Sequence, residues 1–257
     1  MAREKSTGAK STGDKPSAQK SAGRKSPAQN SPAQKSPAQK SPAQKSSGRR
    51  AQEPKARQPH YFSAQPQSPS ERRRIRVELA DVRLDLTTDT EVFSARQLDL
   101  GTRVLLENAP APQEGPVLDL GCGYGPVALA LAARSPNTEV WAVDVNERAL
   151  ELVGLNATAA GSCRVRAAKP EDVPEDVRFG SIYSNPPIRA GKAVLHEMLL
   201  RWLPKLVPGG VAYLVVARNL GSDSLAKWLA AEGFPTERLR SKSGYRVLRV
   251  RRPDDAG

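Results

Sequence analysis

The chain has 257 residues, with 40 Lys+Arg against 27 Asp+Glu and a formal charge of +13, which is length for one large domain or two small ones. Its two cysteines, Cys122 and Cys163, are too few for a disulfide scaffold and fit a reducing, cytoplasmic compartment. The sequence contains no Cys/His cluster, no run of about 18 apolar residues, and no apolar stretch behind its basic N-terminus, which argues against a metal site, a transmembrane helix and a secretory signal.

The charge is unevenly spread. Residues 1–76 hold 18 of the Lys/Arg and 4 of the acids, a balance of +14 that leaves −1 for the remainder. From Ala2 to His60 there is no Val, Ile, Leu, Phe, Trp or Tyr, so this stretch cannot bury enough apolar surface to offset its ordering entropy. It repeats "SPAQN" (26–30) and "SPAQK" (31–35, 36–40, 41–45), a period too short for a solenoid unit. Residues 1–70 are therefore expected to form a disordered basic tail, with residues 71–257 as the folded domain. Spaced cations of this kind suit non-specific contacts to RNA or DNA phosphates, and a purely solubilising tail is the alternative.

The first structured pattern is "IRVELADVRLDLTTD", which alternates apolar and polar residues from Ile75 to Leu86 and predicts a hairpin or edge pair of strands. "QLDLGTRVLLENA" (97–109) has helical spacing. Then come a buried strand at 117–120, a glycine loop at 121–125, a helix at 127–134 and a strand at 139–146. A helix at 147–161 leads to strands at 163–168 and 179–184, with Cys163 expected buried. A helix at 193–206, a strand at 209–217, a helix at 222–234 with a Ser N-cap, and a last strand at 245–252 complete the pattern. Strands alternating with helices imply an α/β fold: a Rossmann-like, doubly wound, mostly parallel seven-stranded sheet. Ligands of such sheets lie beyond the carboxyl ends of the strands.

"DLGCGYG" places Gly121, Gly123 and Gly125 directly after a strand. A dinucleotide cradle wants G-x-G-x-x-G, and Pro126 occupies the sixth position. Asp119 precedes the loop, and Asp144 ends the next strand about 20 residues on, where such folds hydrogen-bond ribose hydroxyls. That pair suits a small adenosine ligand bearing an ammonium: Asp119 on the ammonium side, Asp144 on the ribose, the glycine backbone close to the ligand. S-adenosylmethionine (SAM) has this layout. Cys122 reads as a small packing residue rather than a nucleophile.

"SNPPIRAGK" (184–192) follows another strand. Two prolines cannot continue a helix or sit in a central strand, so the segment is a stiff loop. Asn185 Oδ1 and the Pro186 carbonyl could accept hydrogen bonds from an exocyclic amine and aim its nitrogen at a methyl group. Arg189 and Lys192 could hold phosphates.

These segments, with "TTDTEVFSARQLDLGTRVLLENAP", "VWAVDVNERALEL" and "LVPGGVAYLVV", resemble the methyltransferase small domain, a group that includes bacterial enzymes methylating guanine N2 in ribosomal RNA. The resemblance runs from about Arg76 to Arg251 and implies a class I SAM-dependent methyltransferase. It implies Asp119, Gly121, Cys122 and Gly123 at the methionine end, Asp144 and Val145 at the ribose side, and Asn185, Pro186 and Pro187 at the target amine. Phe93 and Ser94, with 99–102, match the segment covering the cofactor. The position after Asn-Pro-Pro is commonly aromatic in the family and is Ile188 here, so base stacking would fall to Phe93 or Tyr124; Ile188, Arg189, Lys192 and Phe93 are the expected substrate contacts. The implied partner is RNA, in particular rRNA or the small ribosomal subunit. Adenine N6, a protein glutamine and a small molecule are the alternative acceptors.

Overall fold

The computed structural model describes residues 69–112 and 115–253, so the expected tail lies almost wholly outside the described residues. Strands β1 (Arg73–Glu78) and β2 (Arg83–Thr88) form an antiparallel hairpin. Then follow α1 (Leu100–Asn108), β3 (Val117–Leu120), α2 (Pro126–Arg134), β4 (Val140–Val143), α3 (Glu147–Ala159), β5 (Val165–Ala168) and β6 (Phe179–Ser184). The chain continues through α4 (Lys192–Trp202), β7 (Leu206–Ala217), α5 (Ser222–Ala231), β8 (Thr236–Lys242) and β9 (Tyr245–Arg251).

Seven strands make one sheet in the order β5-β4-β3-β6-β7-β9-β8. β5, β4, β3, β6 and β7 run parallel; β9 is antiparallel to β7, and β8, antiparallel to β9, completes that edge in the direction of the parallel strands. The strands β3 and β4 are buried at every residue, as expected where helices cover both faces. Their side chains alternate between two cores. Val117, Val140 and Ala142 pack with α1, α2, α3 and the hairpin, while Leu118, Leu120, Trp141 and Val143 pack with α4 and α5. On α4, Leu195, Leu199 and Trp202 form the buried stripe, each side chain worth about 1.5–3 kcal/mol of burial.

Two polar ties fasten the β1–β2 hairpin over this core. Arg134, ending α2, makes a bidentate pair with Asp81 (2.7 and 3.0 Å). Asn156 on α3, 2 % exposed, accepts from Thr87 N (2.7 Å) and donates to Thr87 O and Tyr124 O (2.9 Å each). One amide thus joins the hairpin, α3 and the glycine loop.

The structure departs from the sequence reading at several places: the helix expected over 193–206 ends at Trp202, β7 already begins at Leu206, and β4 ends at Val143, before Asn146 caps α3. β8, "TERLRSK", escaped detection because it is an edge strand with one partly buried apolar residue, Leu239, and carries no alternation signal. Cys163 is exposed: it sits in the turn before β5 rather than in the strand. Gly221, not Ser222, caps α5; Ser222 is its first residue, and its hydroxyl accepts from Arg246.

Asn156→Leu is expected to lower unfolding stability by about 2–4 kcal/mol, since one buried and two half-buried backbone groups lose their partner. Urea denaturation would read it; a loss below about 0.5 kcal/mol, the level of ordinary surface changes, would contradict the clamp.

Candidate cofactor and acceptor site

The chain runs from β3 outward to β5 and then crosses back to β6, so β3 and β6 flank the switch point where open α/β sheets bind ligands. Their pairing stops at Asp119 and Tyr183. Beyond it, the Ser184 hydroxyl donates to Leu120 O (2.7 Å), and the glycine loop and the Asn-Pro-Pro loop leave on either side. Phe93, Ser94, Asp99, Thr102, Asp119, Gly121, Cys122, Gly123, Val127 and Asn185 are among the residues lining the cavity between them.

The glycine loop is left-handed at Gly121 (φ 73°) and Gly123 (φ 53°), and a Cβ on either would meet nothing within 4 Å. The backbone is therefore bare toward open space, as close approach of a ligand requires. Gly125 (φ 89°) caps α2 and has no side chain to offer it, and Pro126 occupies the first helical position. Asp119 supplies the missing cap from the middle of the sheet: its Oδ2 accepts from Ala128 N (2.9 Å). Burial pushes the Asp119 carboxyl up to about 8, against the pull of the Ala128 N–H. Asp144 holds the loop itself, accepting from Gly123 N and, through its other oxygen, from Asn146 N (2.9 Å each). Burial raises Asp144 too, against these N–H bonds. Val145 beside it is 45 % exposed. Cys122 is buried with its thiol pushed well up, which leaves it unreactive.

A segment from Asp89 to Asp99 covers this space. Asn146, the N-cap of α3, donates to Glu91 O (2.9 Å), and Arg148 reaches Thr90 O (3.3 Å). Glu91 and Ser94 both adopt φ 57°, a conformation costly for non-glycine residues and concentrated at functional sites. Phe93 is 40 % exposed, whereas Tyr124 is 2 % exposed. Tyr124, the other candidate for base stacking, lines the cavity but is packed in the core.

In the second loop Pro187 adopts φ −75°, ψ 65°, an inverse γ-turn closed by Ile188 N donating to Pro186 O (2.8 Å). One lone pair of that carbonyl is thus taken and one remains. Ile188 packs against the α4–α5 core and does not line the cavity. Arg189, in a 3-10 turn over Ile188–Ala190, and Lys192, the first residue of α4, are exposed. His196 stacks on Trp228 with ring centroids 3.4 Å apart, a packing role. Asn185 donates to Asp99 Oδ2 (2.8 Å) and Thr102 Oγ1 (3.0 Å).

Residues 83–249 match the methyltransferase small domain. The chain belongs to that family. It is 32% identical over 197 residues to the uncharacterized protein YbxB of Bacillus subtilis, covering 75% of this chain and 98% of that protein. It is 34% identical over 170 residues to ribosomal RNA small subunit methyltransferase C of Shewanella amazonensis, covering 64% of this chain and 50% of that protein. The solved structure of a T. thermophilus 16S rRNA N2 methyltransferase (RsmC), in complex with AdoMet and guanosine, superposes with a TM-score of 0.61 at 26% identity, covering 72% of this chain and 52% of that one. The chain thus spans about half the length of the rRNA methyltransferases it matches. Membership makes it a SAM-dependent methyltransferase, and the bare glycine backbone flanked by two carboxylates fits that cofactor. Among the described residues no group of His, Cys, Asp or Glu could hold a metal, and no helix is long and apolar enough to cross a membrane.

Asp119 generates a pH prediction. Its folded pKa of about 8 lies above the unfolded value of about 3.9. Its contribution to stability is therefore full below pH 4 and is lost as pH rises to about 8. Asp119→Asn keeps an oxygen for Ala128 N and removes the titration. Without SAM, the variant should gain stability relative to the wild type between pH 5 and pH 8; a difference flat in pH would contradict the buried carboxyl.

Proposed function

We propose that the protein transfers a methyl group from SAM to the exocyclic N2 amine of a guanine in ribosomal RNA, in the small subunit. The carrying observation is the state of Asn185. Both N–H bonds of its amide are taken by Asp99 and Thr102, so its remaining polar atom, Oδ1, can only accept. An amine nitrogen has hydrogens to give to such an atom. The names of the rRNA relatives and the guanosine bound to RsmC supply the base and the RNA.

SAM, when bound, supplies an electrophilic methyl on its sulfonium. Asp119 has one oxygen on Ala128 N and its other free for the ammonium, Gly121 and Gly123 bring backbone near the ligand, and Asp144 and Val145 flank the ribose side. Asn185 Oδ1 and the second lone pair of Pro186 O hold the two amine hydrogens, which fixes the nitrogen for attack. As the N–C bond forms and the S–C bond breaks, one amine proton leaves to solvent, so no strong base is needed. Pro187 stiffens the loop. Phe93 offers an exposed ring for the base, and Arg189 and Lys192 suit phosphates. Ile188 serves to seat the loop on the core. An rRNA substrate goes with a cytoplasmic location, and the basic stretch of residues 1–70 adds non-specific phosphate contacts.

The test is transfer of labelled methyl from SAM to rRNA from a strain lacking the protein, followed by nucleoside analysis. Label is expected in N2-methylguanosine, with Asn185→Ala slower by about 100-fold, the cost of a misplaced reactant. Label in another nucleoside would move the substrate, and none in RNA would overturn the reading. Removing residues 1–70 should raise KM for RNA and leave the Kd for SAM unchanged; an unchanged KM would remove the tail from RNA binding.

A further inference from the structure

We infer that Asp99 is the positioning residue that makes Asn185 an acceptor. The inference rests on the amine-acceptor reading of Asn185 and assigns the cause of it. An asparagine amide is nearly symmetric in shape, and either end can face a polar neighbour. Asp99 breaks the tie. The oxygen it presents, Oδ2, already accepts from Thr102 N, so the NH2 end of Asn185 faces it and the 2.8 Å bond is made by Nδ2. Thr102 Oγ1 takes the second N–H at 3.0 Å. Oδ1 is then left on the far side of the same amide plane.

Asp99 is itself held. It is the N-cap of α1, and the oxygen that receives Asn185 also accepts from Thr102 N (2.9 Å). The surrounding space is closed: a Cβ on Gly101 would lie 2.9 Å from Asp99 Oδ2 and 2.8 Å from Tyr245 Cε1. A single oxygen therefore couples the start of α1 to the loop after β6, 86 residues on in sequence. Without it, the Asn185 amide could turn over and present its NH2 to the target amine, donor against donor. The base would still dock, but its nitrogen would not be held.

The two roles of Asp99 separate by side-chain length. Asp99→Ser retains a good N-cap for Thr102 N but is too short to reach Asn185. Asp99→Asn retains both the cap and an acceptor oxygen at full length. Asp99→Ser is expected to fold, to bind SAM with a Kd changed by far less than the activity, and to lose about 10- to 100-fold in kcat, the scale of a misplaced reactant. Asp99→Asn should recover most of that loss. The side-chain NH2 resonances of Asn185, identified by their disappearance in Asn185→Ala, report the orientation without any substrate. They should be shifted and protected from exchange in the wild type and Asp99→Asn, and collapse to free-amide values in Asp99→Ser. Wild-type kcat in Asp99→Ser, unmoved amide resonances, or a SAM Kd that weakens in step with activity would each overturn the inference. If the wild type labels no RNA, the substrate reading fails, and the amide resonances still decide the orientation.

Discussion

Three carboxylates grip backbone N–H groups around one space. Asp99 takes Thr102 N, Asp119 takes Ala128 N, and Asp144 takes Gly123 N and Asn146 N. Burial penalises the charged form of Asp119 and Asp144, and the backbone N–H bonds offset part of that penalty. Helix starts and glycine turns are where unpaired N–H groups accumulate, so each side stabilises what the other leaves unsatisfied. The acids that could meet a cofactor are thus the same acids that start α1 and α2 and hold the glycine loop. Site and scaffold share residues at these positions.

This arrangement explains how the two loops stay in register. β3 and β6 cease pairing just before the crevice, and backbone pairing no longer aligns the two loops beyond them. Ser184 bridges the strand ends, Asp119 fixes α2 from inside the sheet, and Asp99 reaches across to Asn185. The cover is tethered through Asn146 and Arg148 at α3 and contains two left-handed residues, Glu91 and Ser94. A segment held at its ends with backbone strain stored between them suits a cover that must admit a cofactor.

The parallel core was legible because its strands are buried on both faces and its helices carry apolar stripes. Glycines and prolines marked both loops because each has a backbone reason to be there. β8 was not legible, since an exposed edge strand needs no apolar alternation, and neither was the exposure of Cys163 in the turn before β5, an edge strand that is itself largely exposed. Asp119 was read as a ligand contact; its second role, capping α2, arises because Gly125 has no side chain to do so. Asp99 was placed in the covering segment, but nothing in its local sequence points to Asn185. That contact joins positions far apart in the chain, and only the fold brings them together. Tyr124 looked available beside the glycines, yet its ring fills the core, with its own carbonyl oxygen held by Asn156.

The central claim is that the site recognises a hydrogen-bearing amine through an oriented acceptor. Binding of guanosine and of inosine to the wild-type protein saturated with S-adenosylhomocysteine tests it most directly, because inosine lacks only the N2 amine. A site with a fixed acceptor loses its donor with inosine and leaves a polar group unpaired. The account predicts that inosine binds at least about tenfold more weakly, the equivalent of roughly 1.4 kcal/mol. Equal affinity for the two nucleosides would contradict it.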